Sequence, residues 1–99
     1  MRGKERSYLK SLAHNKKPVT QIGKEGITEA VIDRLRQDLQ SHELIKVRLL
    51  DSSLLGAKEA AIEVCDRLSA EFIQAIGNIF VIYRPNPELD KEKRIKLPK

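Results

Sequence analysis

Apolar residues recur along this chain in two rhythms, one helical and one strand-like, and their alternation predicts the fold. Tyr8, Leu9, Leu12 and Ala13 make an inward stripe over residues 4–14, which predicts a first helix. Lys17-Pro18 ends it, because the residue before a proline is pushed out of the α region. A short β-branched stretch predicts a strand over 19–22. Ile27, Val31, Leu35 and Leu39 then recur every four residues with Ile32 beside them, predicting a second helix that starts after Thr28 as N-cap and runs to about Ser41. Over 44–50 the pattern switches to alternation, with Ile45, Val47 and Leu49 on one side and Lys46 and Arg48 on the other, as in a strand. A loop over 51–56 leads to a third helix over 57–69, whose inward positions are Ala57, Ala61, Val64, Cys65 and Leu68. Two β-rich runs, 72–76 and 79–83, flank Gly77-Asn78, a two-residue connection suited to a hairpin with glycine at positive φ. The last run hardly alternates, which predicts a central strand covered on both faces, on one of them by the first helix.

The predicted order is an N-terminal helix followed by βαβαββ. It implies an α/β fold: a small two-layer sandwich with a mixed four-stranded sheet. Residues 1–85 are expected to form a single domain. Residues 86–99, which open with a Pro-rich turn and continue as a charged run, are expected to be a C-terminal tail in which Ile95 and Leu97 can dock on the body.

Ninety-nine residues suffice for a modest core, and an apolar fraction of 40% beside a charged fraction of 33% suits a soluble globular chain. The longest apolar run is far shorter than a bilayer span and the N-terminus lacks the apolar core of a signal peptide, so a cytoplasmic protein is expected. One cysteine, Cys65, excludes an internal disulfide framework, and its place on an apolar helix stripe assigns it to the core.

Charge changes the picture more. Residues 1–24 carry seven basic residues against Glu5 alone, a net +6, whereas the remaining residues sum to −1. Such asymmetry in a small domain points to a polyanionic partner met by one region. Directly after this segment stands Gly23-Lys24-Glu25-Gly26, between a predicted strand and the mouth of a predicted helix. Paired glycines allow positive φ and close backbone approach, the first amides of the helix have no intrahelical partner, and Lys24 adds a full charge; together these make a cradle for phosphate. The same four residues also suit a plain tight turn. Arg6, Lys10, His14 and Lys17, spaced by four, four and three, form a basic ridge if the first helix reaches that far, or otherwise a solvated face. Lys46 and Arg48 either extend the basic surface across the sheet or simply keep an open sheet face wet. Glu25 sets a carboxylate inside the cradle and weakens its potential.

Other chemistries lack their residues. His14, His42 and Cys65 show no ligand spacing for a metal, no serine or cysteine stands in a suggestive relation to a histidine, and no cofactor motif is present. An enzyme is therefore not expected. Four aromatic residues, three of them at core-like positions, argue against a base-stacking platform of the RRM type, which leaves backbone clamping as the mode of nucleic-acid binding. Ile22-Gly23 to Gly26-Ile27 also resembles the KH signature, whose loop joins two helices; a protein-binding adaptor for an acidic partner, with the glycines only a turn, is the remaining alternative.

A wider set of residues resembles a known family. Arg6, Leu9, Leu12-Ala13-His14, Lys17-Pro18-Val19, Gln21-Ile22-Gly23-Lys24, Gly26-Ile27-Thr28, His42-Glu43-Leu44-Ile45-Lys46-Val47, Ile76-Gly77 and Tyr83-Arg84-Pro85 are similar to the CRM domain, in particular to the stand-alone bacterial proteins of the YhbY type. The resemblance implies a fold like the C-terminal domain of translation initiation factor 3. It also implies association with ribosomal RNA in precursors of the large ribosomal subunit, by a protein expected to be a monomer. The family's loop falls on Gly23, Lys24, Glu25 and Gly26, with Thr28 beside it. Its basic surface falls on Arg6, Lys10 and Lys17 and extends to Lys46; His14, on the same ridge, is a further candidate for RNA contact.

Overall fold

The computed structural model describes residues 1–98, which fold as α1 (Gly3–His14), β1 (Thr20–Ile22), α2 (Glu29–His42), β2 (Leu44–Leu49), α3 (Ala57–Leu68), β3 (Glu71–Ile76) and β4 (Ile79–Tyr83). The strands form one mixed sheet in the order β1-β2-β4-β3: β1 and β2 are parallel, joined through α2, and the other pairs are antiparallel. The predicted elements all form, with boundaries moved by a residue or two. β1 is a strand, so the glycine loop joins strand to helix and the two-helix KH arrangement does not occur here.

The sandwich proper is the sheet packed on α2 and α3. Ile22, Ile45, Val47, Leu49, Phe80 and Ile82 meet the apolar stripes of both helices in the larger core. Strand alternation sends the neighbouring residues to the other face. There Leu44, Ile73, Val81 and Tyr83 are covered by Leu9 and Ala13 of α1, which is how β4 becomes buried on both sides. Cys65 lies in the larger core, and burial pushes its thiol up to about 12.

Helix ends follow local chemistry. The Arg2 N–H donates to Glu5 Oε1 at 3.0 Å at the start of α1, and that bond holds the Glu5 carboxyl below its ordinary range. Thr28 Oγ1 accepts the Val31 N–H at 3.1 Å and caps α2. α2 ends at Glu43, which takes φ +62° and turns the chain straight into β2.

Glu43 also organises the C-terminal segment, a role that no periodicity announces. Its side chain is 1% exposed. Oε2 accepts the Asn86 N–H and Oε1 the Ile95 N–H, each at 2.6 Å, while its carbonyl accepts the Arg84 N–H at 2.8 Å. Ile95 and Leu97 pack with Leu12 against the α1-side core. Arg84 in turn donates to the Leu68 carbonyl at 2.7 Å, satisfying the end of α3.

Candidate nucleic-acid interface

The loop between β1 and α2 is an exposed turn. The Gly26 N–H donates to the Gly23 carbonyl at 3.0 Å, and Lys24 and Glu25 occupy the two central, exposed positions. Gly26 lies at φ +74°, where a side chain is strained. Gly23 does not. A Cβ there would sit 3.5 Å from Leu50 Cδ1 and from Ser52 Oγ, ordinary contact distances, so the expectation that both glycines serve positive φ is corrected: only Gly26 does. Thr28 spends its hydroxyl on the cap, and the first-turn amides of Glu29 and Ala30 beside the turn have no intrahelical acceptor.

Three connections meet at this end of the sheet. The Leu50 N–H donates to the Ile22 carbonyl at 2.8 Å, which ties residues 50–56 to the glycine turn. The Leu49 N–H donates to the Asn78 carbonyl at 2.7 Å and Asn78 Nδ2 returns a bond to the Leu49 carbonyl at 3.0 Å, which brings in the β3-β4 turn.

The predicted cations divide. His14 and Lys46 come together where the end of α1 meets the sheet, in a groove also lined by Gln74, Ile76, Ile79 and Val81. Lys46 Nζ donates to the Lys16 carbonyl at 3.1 Å and the Lys46 carbonyl accepts the Val19 N–H at 2.9 Å, so the segment carrying Lys16 and Lys17 lies beside β2 and leads into β1, at whose far end the turn follows. Lys10 is exposed midway along α1. Arg6 is not part of this cluster. Its guanidinium is taken up by the carbonyls of Phe72 and Ile73 at the start of β3, so the ridge from Arg6 to Lys17 does not present one free surface. Arg48, exposed on the same sheet face as Lys46, belongs with the cluster; alternation in β2 is the signal that marks it.

On the helical layer Asp33, Asp38 and Glu29 pair with Arg36, Arg34 and Arg67. Among the described residues, Lys10, His14, Lys16, Lys17, Lys24, Lys46 and Arg48 have no ion-pair partner. A surface whose cations are left uncompensated suits a polyanion. No group of His, Cys, Asp and Glu able to hold a metal occurs among the described residues, and no described helix is long and apolar enough to cross a membrane.

Comparison with known proteins agrees with this reading of fold and sequence. An RNA-binding protein of Haemophilus influenzae is 34% identical over 96 residues, covering 97% of this chain and 93% of its own. A probable RNA-binding protein of Bacillus subtilis, YqeI, is 32% identical over 96 residues, covering 97% of each. The solution structure of a hypothetical protein from Staphylococcus aureus superposes with a TM-score of 0.76 at 40% identity, over 99% of both chains. The model of the CRS1/YhbY (CRM) domain matches residues 1–84. With the domain model spanning α1 through β4 and whole-length relatives sharing a third of their residues, this chain belongs to the CRS1/YhbY (CRM) domain family.

Proposed function

We propose that this protein is a cytoplasmic RNA-binding protein, not an enzyme, which holds the sugar-phosphate backbone at the turn formed by Gly23, Lys24, Glu25 and Gly26. Lys17, Lys46, His14 and Lys10 supply positive surface along the sheet face that leads to the turn, Thr28 fixes the helix mouth, and Arg6 holds the start of β3. The observation that carries the reading is an exposed turn with first-turn helix amides that lack an intrahelical acceptor at one end of the sheet, together with cations lacking an ion-pair partner on the sheet face that leads to it. Names of relatives as RNA-binding proteins support it.

The decisive measurement is affinity for structured ribosomal RNA as salt rises. Phosphate neutralisation makes log K fall linearly with log salt, and Lys24→Ala is expected to weaken binding and to lower the slope by roughly one. A flat response, or an unchanged Lys24→Ala variant, overturns the proposal. The physiological target we propose is ribosomal RNA in a precursor of the large ribosomal subunit, bound by the monomer. Co-sedimentation of the protein with such precursors, abolished by nuclease, is the expected result; a protein partner retained after nuclease treatment would instead mark an adaptor.

A further inference from the structure

We infer that the end of the sheet left bare by α1 is a platform for unpaired nucleotides, continuing outward from the glycine turn. The inference rests on the RNA-binding reading of that turn and adds the class of ligand: single-stranded rather than duplex RNA.

The register of the sheet lays one residue from each strand in a row on this face. Gln21 of β1 stands opposite Arg48 of β2, Arg48 opposite Ile79 of β4, and Ile79 opposite Ile76 of β3. At ordinary strand spacing the row is about 14 Å long. It begins two residues before Gly23, so it abuts the proposed phosphate site. α1 covers the rows beyond it, where Leu44, Tyr83 and Val81 are buried, but stops at His14 and leaves this row open. Ile76 is 67% exposed, more than any other large apolar side chain in a strand or helix among the described residues, and Gln21 and Arg48 are exposed with it.

The chemistry along the row is mixed in a way that a solvated sheet face has no need of. Gln21 offers a donor and an acceptor to a base edge. Arg48 carries a planar cation that can stack on a base or meet a phosphate. Ile76 presents bare hydrocarbon that half-buried Ile79 extends, and the parallel row of Lys46, Val81 and Gln74 adds another cation. Neither row contains a carboxylate, so nothing within the strip opposes a polyanion, and its two cations stand together on β2. A duplex would answer the cations with phosphates and leave the two isoleucines against charge. Unstacked nucleotides answer both, since their base faces are apolar and their edges and phosphates polar.

The test compares a labelled twelve-nucleotide single strand with a twelve-base-pair duplex RNA, bound by wild type, Ile76→Ser, Arg48→Gln and Lys24→Ala. Exposed positions 76 and 48 allow these changes without disturbing the core, which circular dichroism checks. Ile76→Ser is expected to weaken single-strand binding about fivefold and leave duplex binding and the salt slope unchanged. Arg48→Gln is expected to weaken single-strand binding and reduce its salt slope by about 0.7. Unchanged single-strand affinity in both variants, with Lys24→Ala weakened, overturns the platform and spares the turn; an unaffected Lys24→Ala overturns the reading beneath it. Equal losses for strand and duplex in Ile76→Ser also overturn the platform, as does a protein partner that needs Ile76 while single-strand binding does not.

Discussion

The carboxylate of Glu43, buried at the end of α2, accepts the main-chain N–H of Ile95 at 2.6 Å across fifty-two residues of sequence, while its other oxygen takes the N–H of Asn86. A buried carboxylate between two donors is costly to disturb, because each N–H left without a partner costs about 1–3 kcal/mol. Glu43→Ala is therefore expected to destabilise the protein by roughly 2–4 kcal/mol and to release the C-terminal segment. Glu43→Gln should do little better. Both partners are donors, and the amide offers one acceptor and one opposing N–H. Urea unfolding gives the stability change, and faster hydrogen exchange at Ile95 reports the release.

Arg6 invites the opposite emphasis to the one its charge suggests. Its guanidinium reaches two successive carbonyls, those of Phe72 and Ile73, where β3 slips register against β4 by one residue. Arg6→Ala should cost about 1–3 kcal/mol of stability. Arg6→Lys should recover little of it, since a single ammonium does not reproduce the planar fork. RNA affinity measured well below the melting temperature should change less for Arg6→Ala than for Lys24→Ala.

The two glycines of the turn separate fold from ligand. At Gly26, φ is +74° and nothing lies within 4 Å of an added Cβ, so Gly26→Ala strains the backbone without a clash and should cost about 1 kcal/mol. At Gly23 neither φ nor space demands glycine, and Gly23→Ala should leave the melting temperature nearly unchanged. If phosphate passes close over the main chain there, as we propose, the same variant loses RNA affinity. Calorimetry and binding on one preparation distinguish the two effects.

Much of this architecture was legible in residue order because burial writes itself as periodicity. The fourfold recurrence of Ile27, Val31, Leu35 and Leu39 located α2, and Ile45, Val47 and Leu49 located β2 and its buried side. Features made by polar atoms at long range left no such trace. Glu43 looks like any surface acid after a helix, since its two partners lie more than forty residues away. Arg6 fits a basic stripe on α1, and only the folded sheet reveals the carbonyls that engage it. The exposed row from Gln21 to Ile76 depends on register across four strands, which local pattern does not encode.

Cys65 ties stability to pH. The thiol sits in the larger core, where burial, with smaller contributions from Asp66 and Glu71, raises its pKa to about 12. The neutral form is thus favoured more in the folded than in the unfolded chain, where an ordinary thiol ionises near 8.5. Stability from this group is complete below that ordinary value and declines as pH rises toward the folded one. Two results follow. At pH 8 the native protein should react with a thiol-specific disulfide reagent only at the rate of opening, whereas the urea-unfolded chain reacts fully within the mixing time. Cys65→Ala, although it leaves a small cavity and lowers stability at neutral pH, should unfold with a flatter dependence on pH between about 9 and 11 than the wild type. Denaturant midpoints taken across that range measure the difference directly.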